Sequence, residues 1–319
     1  MWRFDAVDMP FLTYLLFNLE LLLGLLISLI VFATCQWKRS AYEDILSQMV
    51  DILVEFKHLN QELDLRLLRR LFNKLLLGVG IFLSTIVTVD AIYHNHFYKS
   101  ACGAGAYFIP HAVQIITSLQ YVYVLIFAYR KCKSMNKSIL SLRFVLKTDL
   151  ISYTTTLEKM RKQHMELHRL VFKMNKYFGV FNICSIVLVL TATSTTCLEV
   201  YQTIQRKDSG LYLTYSGLWI VLHCSKLVFI LYPNYLMENE RDLTGIILHG
   251  LPQCEHQQYK IEVTDYSDRV YCFWQVMAFS RQVIHQKGSY TACGIVDLNL
   301  SVIASIFGAL ATFLIILIE

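Results

Sequence analysis

The sequence predicts an all-α polytopic membrane protein of about six spans with a helical cytosolic anchor region, and three observations carry that expectation. Of 319 residues, 55% are apolar and only 17% are charged, and the mean hydropathy is +0.45. A water-facing surface has about a quarter of its residues charged, so much of this surface faces something else. Several apolar runs also reach the ~20 residues that a helix needs to cross the hydrocarbon core. Those runs lack the alternation of a membrane barrel, so helices must satisfy their backbone groups internally. Four prolines, 13 glycines and 19 each of Phe and Tyr exclude collagen-like, low-complexity and disordered chains. The net charge of +5 is modest, and no nucleic-acid partner is expected.

Taken in order, the expected spans are Phe11–Cys35, Leu75–Tyr93, Tyr107–Tyr129, Tyr177–Tyr201, Leu211–Tyr232 and Leu298–Ile318. The second is the shortest and carries Asp90 as its one charge. Phe11–Cys35 is too long for a signal peptide and has no small-residue cleavage site. Lys and Arg fix the orientation. The segments 36–74, 130–176 and 236–297 hold 24 of them, whereas 1–10, 94–106 and 202–210 hold four. The three long segments are therefore expected in the cytosol, and both termini outside. On this reading 1–135 holds three spans and the cytosolic segment 36–74, and 136–176 is a cytosolic extension. Residues 177–235 are the next two spans, 236–297 a cytosolic anchor region and 298–319 the last span.

The cytosolic segments are periodic. Tyr42, Ile45, Met49, Leu53 and Phe56 make one helical stripe, and Met160, Leu167, Val171 and Met174 make a second. A third is expected over Tyr266–His285, with Val270, Trp274, Met277 and Ile284 inward. Residues 130–176 contain no Pro or Gly, and the stripes carry aromatics and methionines sized for a core. A packed helical base is therefore expected, rather than helices lying on anionic lipid. The sequons Asn136-Lys-Ser138 and Asn299-Leu-Ser301 fall in the cytosol or a span, so neither should be glycosylated. Cys102 and Cys197 lie near the outer face, where a disulfide or two free thiols are open readings.

Charges inside spans are costly, about 2.5–3.5 kcal/mol at mid-depth. Glu20 and Lys226 sit there, and a structural pairing of Glu20 with Lys226 or His223 is expected. No catalytic set, metal site or cofactor is expected. The one near-cluster, His94-Asn-His96, is expected in an outer loop without nearby partners. Neither the Asp-Arg-Tyr nor the Asn-Pro-x-x-Tyr signature of a G-protein-coupled receptor occurs. The duplicated halves of a transporter are missing as well.

The last 29 residues carry a family resemblance. Thr291-Ala-Cys-Gly-Ile-Val-Asp-Leu-Asn-Leu300 leads into an apolar helix ending Thr312-Phe-Leu-Ile-Ile-Leu-Ile-Glu319. This resembles the end of an insect gustatory receptor, which has Thr-Tyr, five apolar residues, Gln and Phe. Here Phe313 replaces Tyr, Leu314 to Ile318 supply the apolar run, Glu319 stands for Gln, and the final Phe is absent. That family has seven spans, and Phe11–Cys35 falls on its second, so the chain looks like a receptor without its first span. The resemblance implies a tastant-gated, non-selective cation channel in the plasma membrane, assembled as a homo- or hetero-tetramer. A non-conducting or modulatory subunit is the alternative. It also implies a pore along the last span, at Thr312, Phe313, Leu314, Ile315, Leu317 and Ile318, with a Glu319 carboxylate ring at its mouth. A small-molecule tastant is then expected among the outer halves of the other spans. The candidates by depth are Tyr14, Asn18, Thr88, Asp90, His111 and Gln114, then Thr195, Glu199, Tyr212, Tyr215 and Trp219.

Overall fold

A computed structural model describes residues 11–58, 65–94, 105, 108–145, 150–206, 210–258, 266–286, 288 and 290–318. Eight helices are described: α1 Phe11–Trp37, α2 Arg39–His58, α3 Leu65–His94, α4 Ile109–Val145, α5 Leu150–Arg206, α6 Gly210–Gln258, α7 Tyr266–His285 and α8 Ser301–Ile318. A two-stranded hairpin, β1 Thr291–Ala292 and β2 Val296–Asp297, precedes α8. Among the described residues five helices are long and apolar enough to cross a membrane, and α8 contributes a shorter apolar stretch. The chain is thus an all-α multi-pass membrane protein.

The membrane spans and their extensions are halves of the same helices. At about 1.5 Å per residue, the 57 residues of α5 run roughly 85 Å, nearly three times the ~30 Å hydrocarbon core. The 49 residues of α6 and the 37 of α4 also overrun it. Without Pro or Gly between 130 and 176, nothing in the sequence stops α4 and α5 from leaving the bilayer intact. Two expected boundaries move. Helix α3 begins at Leu65 instead of Leu75, since Arg66, Arg69 and Arg70 lower the local hydropathy without breaking the helix. The last helix begins at Ser301 instead of Leu298, because Asn299 caps it: its Oδ1 accepts from Ser301 N at 3.0 Å.

One apolar core fills the protruding end. Ile45, Ile52 and Phe56 from α2 meet Met135 and Ile139 from α4, and Met160, Leu167, Val171 and Met174 from α5. Leu248 and Leu251 of α6 close it with Val276, Phe279 and Val283 of α7. The expected stripe on α7 is corrected here. Val270, Trp274 and Ile284 are exposed, and the buried face is Cys272, Val276, Phe279 and Val283. Apolar residues lie all round α7, so periodicity alone cannot choose the inward face. Sharper polar contacts tie α2 to α5, where Lys173 Nζ lies 2.7 Å from Asp44 Oδ2 and Gln48 Nε2 donates to Glu166 Oε2 at 2.9 Å.

A buried amide network holds α4, α5 and α6 together. Asn234 Nδ2 donates to Tyr121 Oη at 2.7 Å, Asn175 Nδ2 donates to Asn234 Oδ1 at 3.1 Å, and the Tyr121 hydroxyl bonds Asn175 Oδ1. The network sits beside Pro233, whose missing N–H weakens the α6 ladder. Asn234 Nδ2 also reaches the Ile230 carbonyl, at 2.8 Å, and braces that turn.

Candidate functional site

Where α1, α4 and α6 converge, the structure buries polar side chains in place of a greasy seam. Glu20 comes from α1, His111 and Gln114 from α4, and Trp219, His223 and Lys226 from α6, none more than 7% exposed. Helical spacing gathers them: 111 and 114 are three apart, and 219, 223 and 226 are four and three apart, so each set shares a face. Lys226 Nζ donates to Gln114 Oε1 at 2.9 Å and lies 2.8 Å from His111 Nδ1. Gln114 Nε2 turns to the Gly24 carbonyl, 3.5 Å away. His223 Nε2 is 3.8 Å from Glu20 Oε1.

Aromatic rings wall the cluster. Tyr215, Trp219 and His223 form a ladder one helical turn apart, with centroids 6.2 Å and 5.8 Å between neighbours. The His111 ring lies 5.1 Å from Trp219 and 5.3 Å from His223. Behind Trp219, Ile86 of α3, Ile115 and Leu119 of α4 and Leu222 of α6 exclude water. Lys226 and Glu20 are therefore held by protein groups in a low-dielectric setting, where charges and hydrogen bonds act strongly.

The other expected ligand residues are spread more widely. Tyr14 is 44% exposed, and Asn18 bonds back to its carbonyl. Thr88 lines an open groove on α3 of about 740 Å³ with Asn73, Gly80 and Ser84. Thr195 and Glu199 are buried on α5, and Thr195 Oγ1 returns to the Thr191 carbonyl at 2.9 Å. The side chains of Asp90 and Tyr212 lie outside the described residues, as does Cys102, whereas Cys197 is a free thiol. The cost of charge at mid-depth points to a pairing of Glu20 with Lys226 or His223, and the structure brings Glu20 to 3.8 Å from His223. That His111, about 90 to 110 positions from each, joins them is not legible in sequence order.

The Thr291–Asp297 motif is a hairpin seated on α5. Thr291 pairs Asp297 and Ala292 pairs Val296. Cys293 and Gly294 turn the chain with φ of 53° and 72°, and Ile295 N returns to the Ala292 carbonyl at 3.0 Å. Two successive residues with positive φ turn the chain within the three-residue loop 293–295 that joins Ala292 to Val296, at some cost for Cys293. Gly179 provides the seat, since a methyl group there would meet Cys293 Sγ at 2.8 Å. Arg241 of α6 fastens the approach to the hairpin, with Nη1 donating to the Gly288 carbonyl at 2.7 Å and the Gln286 carbonyl at 3.2 Å. Tyr290 N donates to Glu238 Oε1 at 3.1 Å, and its ring lies under Arg241. Burial holds the Tyr290 phenol above its ordinary pKa, with Arg241 pulling the other way.

Beyond the hairpin, α8 lays Ile306, flanked by Val302 and Ile303, on Val189, Leu227 and Ile230. Its other face is open: Phe307, Ile315 and Ile316 are 51%, 60% and 66% exposed. Thr312 is exposed and bonds the Gly308 carbonyl at 3.0 Å. The side chains of Phe313, Leu314, Leu317, Ile318 and Glu319 lie outside the described residues. The sequon residue Asn136 is buried, donating to Glu240 Oε2 at 3.0 Å and accepting from Thr244 Oγ1 at 2.7 Å.

Compared with known proteins, residues 1–319 match the family described as 7tm Chemosensory receptor. The chain is also similar to the Gustatory receptor for sugar taste 43a of Drosophila melanogaster, at 28% identity over 166 residues. That match covers 51% of this chain and 35% of the relative's own length.

Proposed function

From the premise that the chain belongs to the 7tm chemosensory receptor family, we propose that it is a taste receptor subunit whose tastant opens a cation path along α8. The observation that carries the reading is the buried polar cluster of α1, α4 and α6 with its Tyr215–Trp219–His223 wall. Apolar walls with a few convergent polar groups suit a small ligand. A hydroxyl-rich molecule would lie on Trp219, accept from Lys226 and donate to Glu20. The similar Drosophila receptor is named for sugar taste. The basic ends of α4 to α6 face the cytosol in this reading, and the chain's C-terminus faces outside. Four copies of α8 surround one conduit, their exposed Phe307, Ile315 and Ile316 covered by neighbours. Each tenfold preference of the tastant for the open state contributes about 1.4 kcal/mol per site.

The test is cation influx in cells expressing the chain, challenged with a panel of sugars and polyols. Trp219→Ala should abolish the response at unchanged surface expression. An undiminished response in that variant overturns this site assignment. Current that appears only beside a second receptor makes the chain a modulatory subunit.

A further inference from the structure

Three side chains of the polar cluster have the chemistry and spacing of a metal site. Glu20, His111 and His223 each bring one ligand atom to within 4.8 Å of the other two. They come from three different helices and are 7%, 3% and 0% exposed. Among the described residues, His111 Nε2 and both ring nitrogens of His223 have no hydrogen-bond partner. Buried imidazole nitrogens left unpartnered are costly and unusual. We propose that Glu20, His111 and His223 bind a divalent transition-metal ion of the zinc or copper class.

Two imidazoles and one carboxylate, with a fourth position open, form a known type of donor set for such ions. Bonds of about 2.0–2.2 Å place ligand atoms roughly 3.4 Å apart. The Glu20–His223 pair at 3.8 Å is close to that already, and the widest separation must shrink by no more than about 1.5 Å. Rotation about side-chain bonds covers that distance without moving a helix. The ion would fasten α1, α4 and α6 to one another at one point.

Lys226 competes with the metal, and this gives the inference a signature. Its Nζ donates to His111 Nδ1 only when that nitrogen carries a lone pair. A neutral ring coordinating through Nε2 has its hydrogen on Nδ1, so the Lys226 bond to His111 must break. Lys226 then keeps Gln114 Oε1. The site is the one proposed above for the tastant, but the inference rests on ligand geometry. Its readout is binding, so it can fail while the receptor reading stands.

The experiment uses the full chain purified in detergent and titrated with copper(II), then with zinc as competitor. One copper per chain is expected, with a paramagnetic resonance spectrum coupled to two nitrogens and removed by zinc. His111→Gln, His223→Gln and Glu20→Gln should each weaken binding about 100-fold or more, beyond the 10–100-fold loss typical of outer-shell partners. Lys226→Met should bind more tightly than the unaltered chain, a gain that a merely structural lysine would not produce. The pair His94→Gln and His96→Gln should leave affinity unchanged. Absent stoichiometric binding, a spectrum with fewer than two coupled nitrogens, or unchanged affinity in His111→Gln/His223→Gln would each overturn the proposal. If the single variants do not yield monodisperse protein, the spectrum of the unaltered chain decides between these outcomes.

Discussion

Gly179→Ala tests how the hairpin is seated on α5. The new methyl would lie 2.8 Å from Cys293 Sγ and 3.0 Å from the Cys293 backbone nitrogen, against ordinary contact of about 3.5–4.0 Å. The thiol can swing aside, but the backbone nitrogen belongs to a turn held at both ends. Leu298 N bonds the Tyr290 carbonyl at 2.6 Å, and Arg241 grips Gly288. Overpacking of this kind costs about 1–3 kcal/mol. Alanine in place of glycine within a helix recovers about 1 kcal/mol, leaving a net loss of up to about 2. Gly245→Ala is the internal control, since its methyl would sit 3.6 Å from Val283 Cγ1 in unstrained contact, and it should gain about 1 kcal/mol. Thermal melting followed by size-exclusion chromatography in detergent reads the difference, at roughly 2–4 °C per kcal/mol. Gly179→Ala/Cys293→Gly should recover part of the loss, by removing the thiol and relieving the left-handed φ at 293. Equal melting temperatures for the two alanine variants would refute the seat.

Three further outcomes follow from the packing. Asn234→Leu removes the donor to the Tyr121 oxygen and the acceptor of Asn175 Nδ2 beside Pro233, with the Tyr121–Asn175 bond kept, and should cost about 3 kcal/mol in the same melting assay. A loss below 1 kcal/mol would mean that the network does not brace α6. Arg241→Met removes the Arg241 donor from the Gly288 carbonyl and leaves the Gln286 carbonyl only Gly288 N, and should destabilise by about 2–3 kcal/mol. Tyr290→Phe, which loses the 3.4 Å contact to His168 Nδ1 and the phenol's interaction with Arg241, should cost about 1 kcal/mol or less. Similar losses for the two would refute the clamp. Amidase removal of N-glycans should leave the gel mobility unchanged, since Asn136 is interior and Asn299 caps α8; a shift to higher mobility would contradict these placements.

Hydropathy and charge alone determined that the chain crosses a membrane several times as helices, because a bilayer penalises unpaired backbone and charge residue by residue, with no need of a partner. The stripes Ile45 to Phe56 and Met160 to Met174 were legible for the same reason, since one polar face leaves a single way to turn. Tertiary structure decided the rest. Apolar residues lie on every side of helix α7, and only its neighbours in space select Phe279 over Trp274 for the core. Gly179 was silent until the hairpin came down upon it. In the sequence Glu20 pairs with Lys226 or His223 to neutralise an internal charge, and His111 is one polar position among several. They become one site because three helix axes cross there, and distance in space, unlike hydropathy, is not a property of any single residue.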